Sequence, residues 1–176
     1  IKPLKRTILD DLNDNNYNVI AIGKMNDIFS ETSINKTLKA SSNMDAINKL
    51  TNIMDKKFTG LCMVNLCDFD SLYGHQRDVE GYAKAIEELD VEIPIILNKL
   101  EVNDLFIITA DHGNDPTFKG NDHTRENVPL IFYSRSFKEP KRLEVQNTLA
   151  NIGATIADNF DISTPEIGTS ILEELE

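Results

Sequence analysis

Histidine is scarce in this chain, with three in 176 residues, and cysteine is scarcer, with two. Cys62 and Cys67 flank a predicted strand. Two thiols at that spacing make neither a structural zinc site nor a disulfide framework, so both are expected as small core residues. Basic residues are outnumbered, 18 Lys and Arg against 29 Asp and Glu, for a formal charge of −11. Without an extended basic face, nucleic acid and anionic membrane are excluded as main partners. No run of 18 apolar residues is present, which excludes a membrane-spanning helix of the usual kind. Nothing at the start reads as a secretory signal, and the expected compartment is the cytoplasm. There is no internal repeat, no low-complexity tract and no linker long enough to divide the chain. What remains is ordinary globular composition, 40% hydrophobic and 27% charged, enough for one domain or most of one.

The apolar pattern gives the elements. Leu4, Ile8 and Leu12 step at helical spacing until an Asn/Asp cluster stops them. "NVIAIGK" (18–24) is a continuous apolar run closed by glycine, a buried strand. "ETSINKTLKASSN" reads as a polar loop. Asn43 then caps an amphipathic helix with Met44, Ile47, Leu50 and Met54 inward. "TGLCMVNLCDFD" reads as a second apolar strand. Tyr82, Ile86, Leu89, Ile93, Ile96 and Leu100 mark the clearest helix, capped by Asp78 and carrying Pro94. "DLFIITA" (104–110) and "VPLIFYS" (128–134) are further strands. A helix is expected over 143–160, and a short closing helix after Thr164 and Pro165. Uniformly apolar strands alternating with helices predict an α/β fold, a mainly parallel sheet with helices on both faces.

In such sheets ligands sit beyond the carboxyl ends of the strands. Asp70 and His75 follow one strand, Asp111 and His112 another, and Lys24 a third. His123 arrives on the "GNDHT" loop. All three histidines thus lie near acids at strand ends or the loops after them. The short Asp70–His75 spacing, with Gly74 inside it, allows a tight loop to bring both onto one centre. Asp111 and His112 leave their strand in different directions, so they serve one ion or two. Carboxylate with imidazole suits Mn, Zn or Fe(II) better than Ca or Mg. The residues alone point to a divalent-metal site for phosphoryl or hydrolytic chemistry.

"VNLCDFDSLYGHQRDVEGYAKAIEELD" followed by "TADHGNDPTFKGNDHTRENVPLIFYS" resembles the C-terminal part of the bacterial phosphopentomutases, of the alkaline phosphatase superfamily. The likeness extends through "VIAIGK", "SNMDAINKL" and "NIGATIADNF". It implies two divalent ions, usually Mn²⁺. Asp70, His75 and His123 would hold one, and Asp111 and His112 would give two ligands of the other. Lys24 matches a lysine near the sugar phosphate. The implied reaction interconverts ribose (or deoxyribose) 1-phosphate and 5-phosphate through a phosphorylated threonine. That threonine, a further ligand aspartate and a cap domain belong to a segment before this one. Residues 1–176 are therefore expected to be the C-terminal portion of the metal-binding core, with no catalytic nucleophile. Thr124 reads as loop structure. Starting at Ile1, the chain is expected to be a piece of a longer protein, inactive alone and prone to self-association through an exposed sheet edge. The cofactor-independent phosphoglycerate mutases and related phosphatases are a second reading, since they share a "DHG" strand end but not "DFDxLYGHxRD". A non-catalytic metal-binding module is a third.

Overall fold

The computed structural model describes residues 3–30 and 32–175. Ile1 and Glu176, the last residue of the expected closing helix, lie outside them. Three parallel strands, β1 (Asn18–Ile22), β2 (Lys36–Leu38) and β3 (Gly60–Val64), form a sheet in the order β2-β1-β3. β1 is central, pairing Ile20 with Lys36 on one side and Asn18 with Gly60 on the other. Alternation along the pleat then assigns the faces. Ile20 and Ile22, with Cys62 and Val64 beside them, pack on Ala46 and Ile53 of α3 (Asn43–Met54). Val19, Leu61 and Met63 face the opposite way. They meet Leu9 and Leu12 of α1 (Ile8–Asp14), and Ile156 of α5 (Ala150–Asn159) with the Phe160 that follows it. The expected α/β architecture, helices on both faces of a parallel sheet, is what the chain adopts.

Several boundaries differ from the sequence reading, each for a physical reason. β2 lies inside the stretch read as a polar loop. It is an edge strand whose first two residues are exposed, so it needs no apolar alternation. A four-residue helix, α2 (Met25–Ile28), precedes it. Leu4 is 99% exposed, and α1 starts only at Ile8, behind Thr7, whose backbone N–H donates to the Asp10 carboxylate at 2.7 Å. Ser42 rather than Asn43 caps α3, its hydroxyl accepting from the Asp45 amide at 3.1 Å. α4 (Val79–Lys99) is capped as expected: the Asp78 carboxylate accepts from the Gly81 amide at 2.9 Å, and the helix continues through Pro94. β4 (Phe106–Thr109) and β5 (Leu130–Tyr133) pair antiparallel in a sheet of their own, not as further parallel strands. Residues 143–149 stay outside α5, and Val145 is 78% exposed. The closing helix α6 is reduced to Leu172–Leu175, so Thr164 and Pro165 begin no helix.

A buried hydroxyl ties the chain's last segment to α5. Thr155 is fully buried; its Oγ1 donates to the Asn151 carbonyl at 2.7 Å and accepts from the Ile171 amide at 3.1 Å. Thr155→Val keeps the volume but strands the Ile171 N–H. The expected loss is about 1–3 kcal/mol, read as a lower urea midpoint at unchanged slope.

Candidate metal centre

The carboxyl end of β3 leads directly into the site. Beyond Val64 the chain enters a wide π-helical turn, Phe69–Gly74. Such turns are rare and recur at functional sites. Its entry is fixed by a reciprocal pair: the Asn43 amide donates to Asp68 Oδ2 at 2.7 Å, and the Asp68 amide donates to Asn43 Oδ1 at 3.0 Å. Asp70 lies in this turn and His75 ends it, the His75 amide donating to the Asp70 carbonyl at 2.9 Å. One local structure thus sets two side chains. His123 comes from the loop after β4. Gly113 and Thr124 form an isolated antiparallel bridge that closes the intervening residues into a loop. The Thr124 hydroxyl accepts from the Asp115 amide at 2.7 Å and donates to Glu126, which spends it on loop structure. Gly113 is tightly enclosed there: a Cβ would lie 2.8 Å from the Glu126 amide nitrogen.

The three side chains converge. His75 Nε2 lies 3.3 Å from Asp70 Oδ2, His123 Nε2 lies 3.3 Å from Asp70 Oδ1, and the two Nε2 atoms are 3.1 Å apart. His75 Nδ1 faces the Asn121 carbonyl oxygen, which can only accept. Nδ1 therefore carries a proton, and in the neutral ring the Nε2 lone pair is the one turned toward the other two groups. A transition-metal ion holds N and O donors about 2 Å away, which spaces them about 3.0–3.5 Å from each other. The observed separations fall in that range. One carboxylate and two imidazoles form a donor set suited to Mn, Zn or Fe(II). The ligand atoms of this trio could hold one divalent cation. Asp70 and His75 are half-buried and His123 exposed, so the trio is open to solvent on one side. Behind it, burial and then the Asp70 charge push the Tyr82 phenol above its usual range.

His112 joins the trio by ring contact rather than through its nitrogens. Its ring stacks on that of His123 with centroids 3.7 Å apart and planes 22° from parallel. Its Nε2 is 3.6 Å from the exposed carboxylate of Asp111. The two β4-end residues therefore reach the same neighbourhood, but among the described residues they complete no three-ligand group of their own. Lys24 stands exposed in the turn after β1. It is at the expected edge of the sheet, and no hydrogen bond joins it to the trio. Cys62 is core, as expected, and burial pushes its thiol up to about 11. Cys67 donates to Asn65 Oδ1.

Two further side chains surround the trio and were not singled out from the sequence. Asn114 Nδ2 donates to Asp70 Oδ1 at 2.7 Å. Arg77 Nη1 donates to Asn114 Oδ1 at 2.6 Å, and the guanidinium also reaches the carbonyls of Gly74, Asp115, Gly120 and Asp122. Their signal was adjacency: Arg77 lies two positions after His75, and Asn114 two after His112. Outer partners of metal ligands are often drawn from the same loops.

One comparison with known proteins bears on this geometry. The family model described as the Metalloenzyme superfamily matches residues 11–164, a span that contains every residue of the trio and its surroundings.

Proposed function

The chain belongs to the Metalloenzyme superfamily, and from that premise we propose that it is the metal-binding core portion of a phosphopentomutase. The observation that carries the metal part of this reading is the convergence of Asp70, His75 and His123 at 3.1–3.3 Å. The pentose phosphate part rests on the "DFDSLYGHQRD", "ADHGNDP" and "DHTRE" stretches. Asp70, His75 and His123 would hold one Mn²⁺, and Asp111 and His112 would contribute to a second. Bound there, divalent ions neutralise charge on a transferring phosphoryl group and lower the pKa of an attacking oxygen.

The chain's own residues supply the frame. The π-helical turn fixes the Asp70 carboxylate and the His75 ring relative to each other, and the closed loop delivers His123 against them. The His112 ring, stacked on His123, would bring the proposed second pair of ligands beside the first. Lys24, exposed in the turn after β1, would meet the sugar phosphate. The threonine nucleophile, a further carboxylate ligand and the cap over the sugar would come from a preceding segment. The open edges of β3 and β4 offer such a segment backbone pairing.

The test is a substrate panel on the gene product that carries this segment, with Mn²⁺. Interconversion of ribose 1-phosphate and ribose 5-phosphate is expected, and residues 1–176 alone should show none, because proximity cannot replace a nucleophile. Turnover of phosphoglycerates with none of pentose phosphates would replace this reading with a phosphoglycerate mutase.

A further inference from the structure

We propose that Arg77 and Asn114 form a positioning relay through which one guanidinium sets the geometry of all three ligands of the trio. The inference rests on the metal reading of that trio and extends it to residues with no ligand atom of their own.

Three links run from Arg77. Through Asn114, whose carboxamide accepts from Nη1 at 2.6 Å and donates to Asp70 Oδ1 at 2.7 Å, it fixes the carboxylate. A neutral amide donor on one oxygen restricts the carboxylate's rotation. Through the Gly120 and Asp122 carbonyls, held by Nε and by Nη2, it grips the loop on both sides of Asn121. The Asn121 carbonyl in turn receives His75 Nδ1 and sets that ring's tautomer. The same grip ends one residue before His123, so it also delivers the third ligand. The remaining bonds, to Gly74 at 2.9 Å and Asp115 at 2.8 Å, anchor the guanidinium to the turn and the loop it joins.

Two observations separate this arrangement from an ordinary surface arginine. All five acceptors are amide oxygens, none a carboxylate, so the planar fork, not simple charge pairing, decides the contact. Arg77 also holds φ +55°, a left-handed conformation unfavourable for a residue with a side chain. Such a conformation persists when surrounding contacts over-determine it, and it recurs at functional sites. Gly74 adds a spatial condition. A Cβ on it would lie 2.5 Å from Asn114 Nδ2, so the glycine leaves room for the carboxamide against the turn.

The test titrates Mn²⁺ alone into wild type, Arg77→Lys, Asn114→Ala and Gly74→Ala by calorimetry. Melting in EDTA and the visible spectrum of the Co²⁺-loaded proteins are followed in parallel. Arg77→Lys keeps the charge and loses the fork. The relay predicts Mn²⁺ affinity lowered about 10–100-fold, the range for loss of outer partners, with melting in EDTA unchanged and the Co²⁺ bands shifted. Asn114→Ala added to Arg77→Lys should cost less than the sum of the two, because both act on Asp70 through one path. Should Arg77→Lys fail to fold, Gly74→Ala carries the test, since its Cβ meets the Asn114 carboxamide most closely, at 2.5 Å, with the Phe69 carbonyl next at 3.0 Å. Tight wild-type binding beside unchanged affinity in the variants would sink the relay alone. So would affinity lost only in step with folding in EDTA. No Mn²⁺ binding by wild type would sink the metal reading and the relay with it.

Discussion

His75→Ala is expected to lower the affinity of this chain for Mn²⁺ by more than about 100-fold, beyond what losing an outer partner costs. The ring's Nδ1 is committed to the Asn121 carbonyl, so Nε2 is the atom it offers to an ion. Alanine leaves one carboxylate and one imidazole. Two donors on a solvent-open turn compete poorly with water for a divalent cation. His123→Ala should cost as much, and it also removes the partner on which the His112 ring stacks. Neither change should unfold the protein, because neither side chain lies in a hydrophobic cluster. The measurement is calorimetric titration with Mn²⁺ over a background of Mg²⁺. That background occupies the many exposed carboxylates of a chain with 29 acidic residues. A stoichiometry near one ion, lost in both variants with circular dichroism unchanged, is the expected outcome. Binding that survives His75→Ala at wild-type strength would place the ion elsewhere.

Leu12→Ala should cost about 2–5 kcal/mol, a large share of the 5–15 kcal/mol that holds a typical domain. Leu12 is fully buried, with Leu9 and Val19 against it, and Ile156 of α5 and the following Phe160 closing the cluster. The cavity would lie between helices anchored on one sheet face, which cannot both move inward without breaking register with β1. Urea unfolding followed by circular dichroism would show it as a lower midpoint at constant slope. Leu4→Ala is the control. At 99% exposure it should change stability by less than about 0.5 kcal/mol. A loss under about 1 kcal/mol for Leu12 would mean that the face between α1 and α5 collapses freely, contrary to the packing described.

The sequence made β1 and β3 legible because strands buried on both faces have little choice but to be apolar throughout. α3 and α4 were legible because their inward residues keep a 3.6 period over several turns. β2 was not legible: an edge strand of three residues is chosen by the free backbone groups of β1, not by its own side chains. The start of α5 was misread because Val145 and Leu149 are apolar yet largely exposed, so residues 143–149 imitate a helical face. The antiparallel β4–β5 pairing depends on chain direction, to which hydropathy is blind. At the site, Asp70, His75 and His123 could be picked out, along with Asp111 and His112, because carboxylates and imidazoles at strand ends and the loops after them carry chemical meaning alone; their grouping as one trio was implied by the family resemblance. Arg77 and Asn114 could not, because an arginine bound to backbone carbonyls looks in sequence like any solvated arginine.

The cluster behind β1 also has a temporal side. Leu9, Leu12 and Val19 leave the ribosome well before the residues that close over them: the Tyr17 hydroxyl meets the Phe160 carbonyl across 143 positions. At about 5–20 residues per second, that separation leaves the nascent face uncovered for roughly 7–30 s. During that interval α1 and β1 offer bare apolar surface to chaperones, or to another nascent copy. Production of this protein should thus respond to the elongation rate over the stretch that encodes residues 20–156 as well as to the finished fold's stability.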